Sequence, residues 1–144
     1  MKSIEISRQP LAYLLVLDRD DEITATLTAF ARDNAINNAH FTSIGACRRA
    51  TFAYWNAASK EYERIEIAEQ VEVVSLIGDV ALGVDDQPRI HAHVAFGKRD
   101  GTIVGGHLID AHVNPTLELF LTTYEGALRR KRDPQTGLPL IALE

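Results

Sequence analysis

One cysteine, one methionine and one tryptophan occur among 144 residues. The lone thiol, Cys47, rules out a disulfide within the chain and gives no sign of an oxidising compartment. Long apolar runs are missing as well: the longest, LAYLLVL at 11–17, falls far short of the roughly 20 residues that span a bilayer as a helix. Positive charge is not in excess. Lys and Arg number 15 against 20 Asp and Glu, a formal net charge of −5, which argues against phosphate binding by bulk electrostatics while leaving room for a local basic patch. The opening MKSIEISRQP has neither an uninterrupted apolar core nor a small-residue cleavage site, so it does not read as a signal peptide. A cytoplasmic protein with no membrane partner is the expectation. With no repeat, linker or low-complexity stretch, residues 1–144 read as a single domain, and 46% hydrophobic residues are enough to close its core.

What is present is one helical pattern followed by many strand patterns. LAYLLVL reads as a buried strand bounded by Pro10 and an acidic cluster. The segment 18–38 reads as the main helix. Asp20, Asp21 and Glu22 suit its positive N-terminal end, and Asn37 and Asn38 suit its termination. Ile23, Leu27, Phe30 and Ala31 recur at helical spacing and form its buried stripe. After the helix the period becomes two, and strands are expected at 41–55, 62–69, 70–82, 89–96, 102–109 and 116–124. The tail holds a turn signal, DPQTG, and one more short strand. One helix followed by strands on short turns predicts an α+β fold, a single domain in which a curved, largely antiparallel, barrel-like β-sheet packs against one main α-helix.

The stretch HAHVAFGKRDGTIVGGH, 91–107, carries three of the five histidines. KRDGT fits a three-residue hairpin loop, Arg99–Asp100–Gly101, with the glycine in the left-handed region and Lys98 facing Thr102. Counting back from that pair sets His93 opposite His107. His91 and His93 share a face because side chains alternate, and His107 joins them because opposed residues share a face. Three imidazoles then lie about one strand spacing apart, roughly 5 Å, close enough to collect a metal at about 2.0–2.1 Å. A slip of one residue would send His107 to the other face. Three nitrogen ligands favour Zn²⁺ over another divalent metal and leave a fourth position open, as in catalytic zinc. Gly105 and Gly106 predict close approach of a backbone or a ligand beside His107.

The same stretch resembles the His-x-His, Asp-Gly and Gly-Gly-His-Leu core of the PPC domain, conserved in plants and prokaryotes. FTSIGACRRATFAYW, VEVVSLIGDVAL and VNPTLELFLTTY match its flanking segments in order, so the resemblance covers roughly residues 10 to 125. It implies one helix on a curved antiparallel sheet, assembly as a homotrimer, and a metal site whose motif histidines map onto His91, His93 and His107. It also implies candidate DNA binding, since plant members pair the domain with AT-hooks. This sequence has no Arg-Gly-Arg-Pro core, and EQVEVVSL replaces the plant Gly-Arg-Phe-Glu-Ile-Leu stretch.

Further residues carry two readings each. Glu118, at the family's acidic position, is a candidate general base or partner of a metal ligand, or an edge carboxylate. Arg48 is a candidate for steering a small anionic ligand, or a chain that snorkels to solvent. His112 reads as a loop residue, His40 as structural, Cys47 as a packed thiol, and Arg129 to Arg132 as a solvated basic run. Three readings remain open: a DNA-associated regulatory protein with a metal for structure or sensing, a zinc-dependent enzyme of hydrolysis or hydration acting on a small molecule, and histidines that only pin a trimer together without chemistry.

Overall fold

The structure, a computed structural model, describes residues 1–8 and 10–143, with residues 2–8 described by backbone alone. The elements run β1 (Lys2–Arg8), β2 (Leu11–Leu17), α1 (Ile23–Asp33), β3 (Asn38–Asn56), β4 (Glu61–Ile67), β5 (Val71–Leu82), β6 (Pro88–Gly97), β7 (Ile103–Thr123), β8 (Arg130–Arg132) and β9 (Pro139–Ile141). All ladders between them are antiparallel. The main sheet is ordered β1-β2-β7-β6-β5-β3-β4, and a further β3–β7 pairing closes β7, β6, β5 and β3 into a circuit. The expected α+β fold with a curved sheet and one helix is the one observed.

Local chemistry accounts for the helix. Glu22 caps it, its carboxylate accepting from the amides of Thr24 at 3.0 Å and Ala25 at 2.6 Å. Its buried residues are the predicted Ile23, Leu27, Phe30 and Ala31, the three larger side chains each contributing about 1.5–3 kcal/mol by leaving water. They pack on β6 and β7, so the helix braces the strands that carry the histidines. The stop comes earlier than Asn37 and Asn38. Asn34 turns its side-chain amide back to Phe30 O at 2.9 Å, and Ala35 takes a left-handed φ of 54°. Asn38 instead begins β3.

Three other expectations change. The strands expected at 102–109 and 116–124 are one strand, β7, running through Pro115. Pairing with β3 continues along it because register shifts in β3, between Gly45 and Cys47 and again between Cys47 and Arg49, absorb the irregularity. His112 therefore lies in a strand opposite Arg49, not in a loop, and its Nε2 is 3.0 Å from the Arg49 guanidinium. The tail makes two short strands rather than one: Gly137, at φ 77°, donates to Asp133 O at 2.8 Å and turns β8 back onto β9. Among the described residues, no helix is long and apolar enough to cross a membrane.

Candidate metal centre

The hairpin forms as its turn dictates. Gly101 N–H donates to Lys98 O at 2.9 Å, Lys98 N–H donates to Thr102 O at 2.9 Å, and Gly101 sits at φ 85°. Asp100 locks the turn by accepting from both the amide and the hydroxyl of Thr102, at 3.0 and 2.7 Å. From there the ladder runs without a shift through Gly97–Ile103, Phe96–Val104, Ala95–Gly105 and Val94–Gly106 to His93–His107. Ala92, Val94 and Phe96 enter the core, so His91 and His93 face outward, and His107 shares their face.

The three rings form a near-equilateral group. Centroid separations are 5.4 Å for His91–His93, 5.2 Å for His91–His107 and 5.5 Å for His93–His107. One nitrogen from each lies within 4.8 Å of the others. Ligand nitrogens of a tetrahedral zinc site are roughly 3.3 Å apart, so side-chain rotation alone suffices to close on an ion. The donor set fits in a second respect. His107 Nδ1 is buried with no hydrogen-bond partner among the described residues, a cost that coordination or reorientation toward a metal removes.

Electrostatics keep His107 and His93 in the ligating form. Burial pushes His107 down to about 4, helped by the neighbouring charges of His91, His93 and Arg130. His93 is lowered by burial and then by His91. Both are neutral imidazoles at neutral pH, as metal binding requires. Tyr62 stacks on His107 at 4.7 Å and closes that side of the site.

Two partners were not foreseen from the sequence. Asp79 lies opposite His91 on β5, and His91 Nδ1–H donates to it at 3.4 Å, leaving Nε2 free for an ion. Arg130, 8% exposed, donates to the other Asp79 oxygen. Burial alone would raise Asp79, but hydrogen bonds from His91 and Arg130 and the Arg130 charge hold it below the usual carboxylate range. Asp79 was legible by counting through the β5–β6 loop, since the pairs from Leu82–Pro88 to Ile77–His93 keep one register. Arg130 had no local signal, its partner being 51 residues away. The basic run 129–132 is accordingly not a uniform solvated face: Arg129 pairs with Asp86, and Arg130 is buried.

The paired glycines serve the strands. A Cβ on Gly105 would lie 2.0 Å from Val94 O, and one on Gly106 would lie 2.6 Å from Ala53 O. The close approach is by the backbones of β6 and β3, not by a ligand. A cavity of about 410 Å³ does open beside His91 and His107, walled by Tyr62, Val84, Ile90 and Leu140 together with Arg89 and Arg130.

Glu118 and Arg48 lie elsewhere within the chain. Glu118 is exposed in a groove with Ile44, Val74 and Phe120. Its neighbour Phe120 is linked to His93 only through Thr42 and Ile77 across successive strands, roughly 15 Å away at one strand spacing each. Arg48 is half exposed and pairs with Asp20 at 3.0 Å. His40 accepts or donates to Tyr124 Oη at 2.7 Å. Cys47 is fully buried, and burial pushes its thiol up to about 12, as fits a packed, inert residue.

Fold and site together define a small α+β domain that gathers three outward imidazoles beside a cavity lined by arginines and apolar side chains. The chain belongs to the Plants and Prokaryotes Conserved (PCC) domain family, whose model matches residues 6–125. It is similar to the plant- and prokaryote-conserved protein of Pyrococcus horikoshii, at 31% identity over 92% of each chain with a TM-score of 0.87. It is similar also to a metal-containing protein of Archaeoglobus fulgidus, at 38% identity over 92% of this chain and 93% of that one, TM-score 0.86. A candidate DNA-binding protein of Ralstonia eutropha matches at 30% identity over 92% of this chain and 91% of that one, TM-score 0.85. No curated protein matches.

Proposed function

We propose that this protein is a cytoplasmic homotrimer that binds one divalent metal per chain, zinc by preference, through His91, His93 and His107, and that the centre serves a small molecule entering the adjoining cavity. The observation that carries the reading is the His93–His107 pairing, which gathers the three rings on one face. An all-nitrogen, three-ligand set favours zinc, and a metal-containing relative at 38% identity supports an ion without naming it. Bound zinc would supply Lewis acidity and an open coordination position, the chemistry of hydrolysis or hydration. The chain's own residues prepare the place: Asp79 fixes the His91 tautomer, Tyr62 covers His107, and Arg130 holds Asp79. Glu118 acts as general base only if a neighbouring subunit brings it to the histidines. Arg48, engaged by Asp20, steers an anion only by leaving that pair.

The test is metal content of the purified protein beside His91→Ala, His93→Ala and His107→Ala. Stoichiometric zinc in the parent and its loss from each variant is the expected result; zinc retained by all three overturns the reading.

A second reading, DNA association, is favoured by the description of the Ralstonia relative. Against it stand a net charge of −5 and the engagement of Arg129 and Arg130 by carboxylates. An anisotropy titration at several salt concentrations separates the two. Affinity that falls steeply with salt upholds DNA contact, and a flat trace at low salt removes it.

A further inference from the structure

The cavity beside the histidines has a composition of its own. Its lining combines Arg89, Arg130, His91 and His107 with the apolar Val84, Ile90, Leu138 and Leu140. Arg89 is 55% exposed and pairs with Asp85, itself 44% exposed, an ion pair worth little in water and readily exchanged for another carboxylate. Arg130 is committed through its terminal nitrogens to Asp79 and to Pro139 O, yet its Nε–H is buried without an acceptor among the described residues. With that nitrogen closed off and its side chain 7% exposed, Arg130 offers a cavity partner its charge, while the accessible guanidinium is that of Arg89.

Charge fixes the sign of that partner. Two guanidiniums and a dication stand against two carboxylates, Asp79 and Asp85, leaving the cavity positive once a metal is present. Its accessible donors are the Arg89 guanidinium and the imidazoles. No helix N-terminus contributes to its lining, so the usual phosphate cradle is missing. The apolar side chains in the same lining favour a ligand with a hydrocarbon portion.

We infer that this cavity is a subsite for a small organic carboxylate with an apolar tail, the carboxylate held by Arg89 beside the metal position, with the Arg130 charge nearby, and the tail lying against Val84, Ile90, Leu138 and Leu140. The inference rests on the metal-centre reading and adds the class of molecule it serves. It also reassigns anion recognition from Arg48 to arginines that border the histidines.

The experiment is calorimetric titration of the zinc-loaded full chain with hexanoate, hexanamide and inorganic phosphate, metal content being measured on the same samples. Hexanoate binds at least tenfold more tightly than either comparison compound, a difference of about 1.4 kcal/mol. Arg89→Gln and Leu140→Asp, both at accessible positions, weaken hexanoate by a similar factor and leave zinc content unchanged. Equal binding of hexanoate and hexanamide, tighter binding of phosphate, or indifference to both substitutions overturns the subsite. If zinc is held but hexanoate is not, the subsite falls and the metal centre stands. If no zinc is held, the metal centre falls; hexanoate binding that still depends on Arg89 then upholds the subsite, and its absence overturns it.

Discussion

Asp79 shows how much of the site depends on a residue that touches no ion. It sits between a buried guanidinium and His91, so its removal has two separable consequences. Asp79→Ala leaves the Arg130 charge buried and unpaired, which destabilises the fold by about 3 kcal/mol in urea unfolding. It also frees the His91 ring, and zinc affinity falls roughly 10- to 100-fold in competition with a chromophoric chelator. His107 gives the matching pH prediction. Its folded pKa, about 4, lies below the ordinary value of 6.5, so the unfolded chain takes up the proton first. Stability of the metal-free protein is full above pH 6.5 and falls as the pH drops toward 4. After discounting the ring's partial exposure the loss is about 2 kcal/mol. Urea unfolding at steps across that window measures it, and His107→Gln abolishes most of the slope.

At the scale of elements, two glycines of the β6–β7 hairpin separate conformation from space. Gly101 occupies a left-handed φ with nothing near a prospective Cβ, so Gly101→Ala costs about 1 kcal/mol and leaves zinc content intact. At Gly105 a Cβ would meet the Val94 carbonyl. Gly105→Ala therefore pushes β7 off β6 beside His107, costing about 3 kcal/mol and lowering bound zinc. Thermal unfolding and metal content of the two variants check this contrast. The hairpin was readable because its register follows from one turn, KRDGT, and each later pair follows by alternation. The helix stripe was readable for the same reason, period alone. What escaped the sequence depends on distant chain. Whether Pro115 breaks a strand is decided by bulges in β3, and whether Arg130 is solvated is decided by Asp79 on β5. Gly105 and Gly106 were recognised as crowded, but only the positions of β6 and β3 reveal what crowds them.

The whole molecule presents one outer face on which the histidines and an apolar patch are continuous. His107, His93, Ile77, Thr42 and Phe120 are successive cross-strand neighbours, so the metal centre and the exposed Ile77 and Phe120 lie along a single row. Ile44 at 63% and Val74 at 51% exposure extend the patch beside it, and exposed apolar side chains gathered in one place suit a protein contact. A homotrimer formed through this patch would put subunit contact next to His93, and two couplings then become distinguishable. If the ion only pins subunits together, a chelator dissociates the parent trimer. If the three imidazoles of one chain suffice, assembly and metal are independent. The geometry within a single chain favours independence, since all three rings already converge. Phe120→Asp places a charge in the middle of the patch, on a side chain 53% exposed that the fold itself does not need. Light scattering is expected to report a 15.9 kDa monomer for this variant, with one zinc per chain by elemental analysis. A monomer stripped of zinc would mean that a neighbouring subunit completes the site, and Glu118, exposed in the same patch, would be the first residue to replace.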